Sequence, residues 1–369
     1  DVPMAPSHLE PRPIGGQEAL ELFAEGPSRK GAANANAGLH KGDLLKGYQA
    51  KLSVADYYRQ RNVKSRHSIM LENIGISLFK LGRYEEALQH FDEALEIFEA
   101  IGDEIGIAWA PYHRARIAIR QGELVEGEKL IKTAISNAET NPEGNLELNS
   151  KFELMLVNRF AGRRESAQTQ AETLSQSYKS LELFLDAAET DTHLGLILLR
   201  LGATDEAEER LTDALKVQSE AGAKYYAAST QIGLVDLALS RSANTAHEDS
   251  CENLKKLTQG LQHKLMRLNA STRLVACEIW GDGAPNEQHI TQLAEVIEAA
   301  SEAELFEPAF MATQMMARLN AVLGNSDLAT IQLDSLNEIT QQKGWAAASY
   351  GCLTASPFHP CQQIASTDN

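Results

Sequence analysis

A chain of 369 residues with 43% hydrophobic and 23% charged side chains can bury a sizeable core, and no run approaches the ~18 uninterrupted apolar residues that a membrane helix requires. Against 51 Asp plus Glu stand 34 Lys plus Arg, and the resulting formal charge of -17 repels nucleic acid and anionic membrane surfaces. Cys251, Cys277, Cys352 and Cys361 are too few and too scattered for a disulfide framework, so a reducing cytoplasm is the expected compartment.

Taken in chain order, residues 1–27 hold five of the 11 prolines (Pro3, Pro6, Pro11, Pro13 and Pro27) and are expected to be irregular, apart from a short helix over Gln17–Ala24. This stretch has no basic segment followed by an apolar one, so no secretory signal is expected within it. Starting at Asp1 is compatible with a processed chain or an excerpt of a longer protein.

Residues 28–343 read as a repeat array. Gly42, Gly82, Gly122, Gly162 and Gly202 stand at steps of 40, and five residues after each comes a small one: Gly47, Ala87, Gly127, Ala167 and Ala207. Seven residues before the glycine the positions are again mostly small, with Ala35, Gly75, Ala115 and Gly195, broken by Met155. These columns predict two antiparallel helices per unit. The recurring Gly ends the first helix in a left-handed cap, and the small residues let the two helices approach closely. Leu78, Leu81, Phe91 and Leu95, or Leu194, Leu198, Leu201 and Leu211, fill the space around that contact at helical spacing. One such hairpin cannot bury its apolar stripe alone, whereas a stack of them can.

Lys41–Asn62 reads as the second helix of an earlier unit, with Gly31–His40 as its first. Beyond Gly202 the register slips. Ile232-Gly233 marks the next first helix, Cys251–Gln262 its partner, and Gly283 and Gly324 two further turns, giving about seven units. After Gly344 the helical period stops, and 344–369 reads as loop, cap or linker. The spacing of Cys352, His359 and Cys361 in this tail matches no common zinc pattern, so no metal is expected.

Within the array, LENIGISLFKLGRYEEALQHFDEA (Leu71–Ala94) resembles a tetratricopeptide repeat, through Ile74-Gly75, Gly82, Tyr84, Ala87, Phe91 and Ala94, in a variety with a period of 40 rather than 34. Leu194–Ala214 repeats the pattern with Leu211 in the aromatic position. The resemblance implies an all-α, right-handed superhelical solenoid of antiparallel helix pairs whose first helices line a concave surface. Carried over position by position, that surface takes Trp109, Tyr112, His113, Arg116 and Arg120 from one unit, Phe152, Glu153, Leu156 and Arg159 from the next, and Glu189, His193 and Arg200 from the third.

An acidic chain thus sets Arg116, Arg120, Arg159, Arg200 and, from the unit before, Lys80 on one face, interleaved with Trp109, Tyr112 and Phe152, which suits an acidic or mixed acidic-apolar peptide segment. A simpler account covers part of this. Lys80, Arg120 and Arg200 lie two residues before a turn Gly, where a cation meets the negative end of the helix dipole, and Trp109 and Phe152 suit packing between hairpins. Arg116 and Arg159 fall outside that explanation. The Lys and Asn arrangement of the family's carboxylate clamp is absent, because Glu72 and Ile76 occupy its positions. Glu85, Glu86, Asp92, Glu93, Glu96 and Glu99 on a second helix read as a solvated outer face.

No phosphate-binding loop, dinucleotide fingerprint, nucleophile elbow, HExxH, CxxC or EF-hand loop is present. The expectation is a non-catalytic scaffold or adaptor, without cofactor, that binds protein or peptide along the concave face. The alternative is the ligand-sensing part of a longer signalling protein, and self-association through an uncapped end is a third possibility.

Overall fold

The computed structural model describes residues 44–140, 145–241, 246–282 and 284–346. Among these residues there are fifteen α-helices and no strand. The expected irregular segment 1–27, the first helix at Gly31–His40, and the Cys352, His359 and Cys361 trio lie outside the described residues. The chain divides into two compact units between Ile107 and Ala108.

The first unit contains α1 (Leu44–Gln60), α2 (Lys64–Leu81), α3 (Tyr84–Ile101) and the opening of α4 (Glu104–Arg120). At the α2–α3 turn Gly82 takes the left-handed conformation (φ 77), and its N–H donates to the Phe79 carbonyl while the Arg83 N–H donates to that of Leu78. A Cβ on Gly75 would stand 2.5 Å from the Phe91 ring, so the helices touch where the small column predicts. Leu71, Ala94 and Phe98 form one buried cluster, with Ile69, Ile97 and Ile107 against it, and Ile74, Leu78 and Ala87 are wholly buried beside them in sequence. Lys51 is buried beneath α2. Its ammonium donates to Ser77 Oγ (3.0 Å) and the Asn73 carbonyl (3.3 Å), and burial lowers its pKa to about 7.

The second unit continues from α4 through six hairpins. These pair α4 with α5 (Leu124–Thr140), α6 (Leu146–Phe160) with α7 (Arg164–Ser180), α8 (Phe184–Leu201) with α9 (Thr204–Glu220), α10 (Lys224–Ser240) with α11 (Ala246–Thr258), α12 (Lys264–Asp282) with α13 (Glu287–Glu302), and α14 (Phe306–Val322) with α15 (Ser326–Lys343). Inside the hairpins, Gly82, Gly122, Gly162, Gly202 and Gly324 take the left-handed conformation, while the turn expected at Gly283 lies outside the described residues. Among the described turns between hairpins a left-handed residue also recurs, but there Asn62, Glu182 and Glu304 stand where Gly102, Gly222 and Gly260 do elsewhere, which hides the column from sequence.

Two hydrophobic clusters organise this unit. One runs from Ala108 to Ala207 and takes in Phe310, Met311, Leu336 and Trp345 from its far end. The other joins α10, α11 and α12. At the edge of the second, Cys251 and Cys277 form a disulfide with Cα atoms 6.1 Å apart. Their separation of 26 residues gave no hint of pairing, because the contact arises only when α11 packs on α12.

Candidate ligand-binding site

The six helices that open the hairpins of the second unit each bring polar side chains to one connected cluster. On α4 the Tyr112 ring lies edge-on to Trp109 (5.3 Å between centroids), and the Arg116 guanidinium stands 5.4 Å above it. Burial pushes the Tyr112 phenol up to about 12, so it remains a donor at neutral pH. Arg116 Nε donates to Glu153 Oε1 at 3.1 Å, and Arg120 reaches Glu153 Oε2 at 3.9 Å. Glu153, on the neighbouring α6, is almost wholly buried and faces two guanidinium groups.

One and a half turns along α6, Arg159 Nη2 lies 3.6 Å from Glu307 Oε1, and its guanidinium also sits 4.4 Å over the Phe160 ring. Glu307 comes from the first turn of α14 and accepts from Asn269 of α12 at 3.5 Å. On α8, the His193 ring meets Phe152 edge-on at 5.5 Å, and burial followed by the charges of Arg159 and Arg120 holds its pKa well below the ordinary imidazole value. It is therefore a neutral ring in this site.

One turn before His193 stands Glu189, half-buried, with its carboxyl raised to about 8 by burial first and then by the charges of Asp186 and Glu153. Asp186 is also raised by burial. Neither carboxyl forms an ion pair among the described residues. The phenols of Tyr178, Tyr225 and Tyr226 are pushed up first by burial and then by charges that include those of Asp186 or Glu189. A protonated or poorly solvated acid pair near tyrosines favours a cation brought from outside, since a cation restores what burial removed.

Of the residues expected on this face, Arg116, Arg120 and Arg159 are gathered into the cluster, with Tyr112, Trp109, Phe152 and His193 around them. Arg200 is half-buried in the last turn of α8. Leu156 and Tyr112, both expected on the face, are buried in one core cluster at 1% and 8% exposure, and His113 is buried against Trp109 and Tyr112. The reason is rotation about the helix: their positions turn toward the adjoining hairpin rather than toward the open side. The arginines are also not bare. Glu153 was already on the projected face, and its role follows once it is seen one layer from Arg116. Glu307 and Asn269 carried no such signal, because they lie in the stretch where the register has slipped.

A tetratricopeptide-repeat family model matches residues 66–110. No curated protein matches the chain in sequence. Among solved structures, a Rap protein complexed with Competence and Sporulation Factor is similar over 91% of this chain and 89% of its own, with 14% identity and a TM-score of 0.67. The Rap conjugation gene regulator of plasmid pLS20, in complex with the Phr* peptide, is similar over 71% of this chain and 76% of its own, with 13% identity and a TM-score of 0.52. At such identities the likeness is one of fold. Residues 66–110 thus match a tetratricopeptide repeat, and the stacked helix pairs give the described residues a fold of that type.

Proposed function

We propose that the second unit binds an extended peptide along the face lined by α4, α6, α8, α10, α12 and α14, and that it acts as a non-catalytic adaptor. The observation that carries this reading is the half-buried cluster itself, built by helices from six successive hairpins and containing ions, phenols and rings suited to a polymeric ligand. The peptide complex of a similarly folded Rap regulator supports it.

The charge pattern refines the ligand. Arg116 and Arg120 share Glu153, and Arg159 faces Glu307, so a purely acidic segment would have to displace internal carboxylates. Asp186 and Glu189 form no ion pair among the described residues, and the charges of Arg116 and Arg120 that reach Glu189 do not offset its burial. The segment best served carries a Lys or Arg for the acid pair, together with apolar side chains for Phe152 and Trp109. A regulatory reading, in which the ligand shifts the state of a signalling protein, is favoured by the same similarity to a conjugation gene regulator.

The Cys251–Cys277 bond weighs against the reducing cytoplasm expected from the cysteine count. A bond that survives in cells lysed under thiol blocking places the chain in an oxidising compartment, and its absence returns it to the cytoplasm.

The test is selection from a randomised hexapeptide library by the immobilised chain, with sequencing of retained peptides by mass spectrometry. Retained peptides should be enriched in Lys and Arg, and the enrichment should vanish for the Asp186→Asn/Glu189→Gln variant. A selection that retains nothing, or whose basic bias persists in that variant, overturns the proposal.

A further inference from the structure

The last hairpin does not leave the second unit open-ended. Gly344 closes α15 in the left-handed conformation (φ 76), and the chain turns so that Trp345 is buried at 5% exposure against the unit's first two hairpins. Its ring stacks on Phe160 with centroids 4.5 Å apart, and it meets Phe306 at 4.7 Å. Its indole N–H donates to the Gly122 carbonyl at 2.9 Å, and the Ala346 N–H donates to the Phe160 carbonyl at 3.1 Å. Lys343 pairs with Glu123 and donates to the Gln121 carbonyl at 3.3 Å, while the Gln121 amide donates to Glu304.

Gly122 is required at this junction for two reasons. It has φ 87, and a Cβ on it would stand 2.6 Å from Phe306 Cγ and 2.9 Å from Phe306 Cβ, atoms close to a backbone that has little room to yield. Gly202 shares the conformation (φ 82) in the equivalent turn of another hairpin, but has nothing within 4 Å of the same position. Stacking of successive repeats needs neighbours only, so a contact spanning 223 residues, as between Trp345 and Gly122, is an additional feature.

The same return delivers Glu307 to the binding face. Glu307 follows Phe306 directly, and its carboxylate lies between Arg159 and Asn269. Asn269 is nine-tenths buried, yet its Oδ1 has no hydrogen-bond partner, and neither has Arg159 Nε. Both atoms belong to side chains that touch the Glu307 carboxylate, so the polar recess there keeps one acceptor and one donor that Glu307 leaves unmet.

We propose that α14, α15 and Trp345 form a latch that closes the second unit on itself, and that Glu307, held by this latch, is a specificity-determining residue of the binding face. With the latch closed, Glu307 neutralises Arg159 and excludes ligand carboxylates. With it open, Arg159 accepts them. Because linkage is reciprocal, a ligand carboxylate that takes Arg159 also favours the open latch. The ligand part of this inference rests on the binding face proposed above, whereas the latch itself does not.

The experiment uses the full chain with Trp109→Phe and Trp280→Phe, so that Trp345 is its sole tryptophan. Gly122→Ala and Gly202→Ala are compared in this background, both checked for helicity by circular dichroism. Both carry the cost of a left-handed alanine, but only the first meets Phe306. The parent and Gly202→Ala should show blue-shifted emission that is protected from acrylamide. Gly122→Ala should show a red shift, several-fold stronger quenching and a larger radius of gyration by small-angle scattering. Equal emission and quenching in the two glycine variants, or a parent Trp345 already fully quenched, overturns the latch.

For Glu307, a fluorescein-labelled hexaglutamate peptide is titrated by anisotropy. It should bind Gly122→Ala at least about fivefold more tightly than the parent, and the gain should disappear when Arg159→Gln is added. An open latch with no gain overturns the role of Glu307. The emission readout uses no ligand and the library selection reads Asp186 and Glu189, so failure of the latch and failure of the binding face are separable.

Discussion

At the scale of single residues, the second unit's charges are arranged to be satisfied internally, and Glu189 is where that arrangement stops. Its carboxyl is raised to about 8 by burial first, then by Asp186 and Glu153, against the opposing pull of Arg116 and Arg120. The folded chain therefore keeps a proton that the unfolded chain releases near the ordinary carboxyl value of 4.5. Between those values the folded state binds more protons, so its stability falls as pH rises, and the contribution is complete only below the lower one. Glu189→Gln cannot ionise. It should flatten the decline of the urea midpoint between about pH 5 and pH 8 and exceed the parent at the upper end. Parallel declines in both proteins would show that Glu189 is not the group responsible. Sequence made the arginines visible as a cluster, because a cation is unusual on one face of so acidic a chain. It did not show that Glu153 and Glu307 answer them. Composition assigns those two to the general acidic excess, and only packing distinguishes them.

At the scale of helices, the grid of glycines and small residues translates directly into geometry. The left-handed caps at Gly82, Gly122, Gly162 and Gly202 fall on the period of 40, and Gly75 and Gly195 are the points where Phe91 and Leu211 press against a backbone. Gly75 sits inside α2, where alanine would ordinarily be favoured by about 1 kcal/mol. Its Cβ would meet Phe91 Cε1, Cδ1 and Cζ within 2.9 Å, three atoms of a rigid ring buried at 5% exposure. Overpacking of this kind costs about 1–3 kcal/mol, so the steric term outweighs propensity. Gly75→Ala should lower the denaturation midpoint, and Gly75→Ala/Phe91→Leu should recover part of the loss. A single variant as stable as the parent would mean that the ring moves freely, and that the small column has another cause. Other features of the same period stayed hidden. The described turns between hairpins take the left-handed conformation as those within them do, yet in three of them Asn62, Glu182 and Glu304 fill it (φ 55, 58 and 53), and a search for glycine passes over such residues. The Cys251–Cys277 bond was hidden for a related reason, since it joins residues on α11 and α12 that become neighbours only through packing.

At the scale of the second unit, the question is whether stability remains local. In an open array each hairpin answers only to its neighbours, and a lesion in the last one is felt there. Here the last hairpin shares a hydrophobic cluster with the first, because Phe310, Met311, Leu336 and Trp345 pack with residues from Ala108 to Ala207. Whether two ends meet depends on a small rotation summed over every repeat between them. No window of sequence contains that sum, which is why Trp345 could be read only as the start of a tail. The consequence is measurable by hydrogen exchange. Trp345→Ala removes the ring stacked on Phe160 and the donor to the Gly122 carbonyl, a loss of about 3–5 kcal/mol for a buried aromatic. If the unit is closed, exchange should accelerate in α15 and also at the end of α4 and in the Gln121–Leu124 turn, more than 200 residues earlier in the chain. The α9–α10 turn, which takes no part in the contact, should keep its protection. Acceleration confined to α14 and α15 would instead mean that the ends lie together without energetic coupling, and that the repeats behave as an ordinary one-dimensional stack.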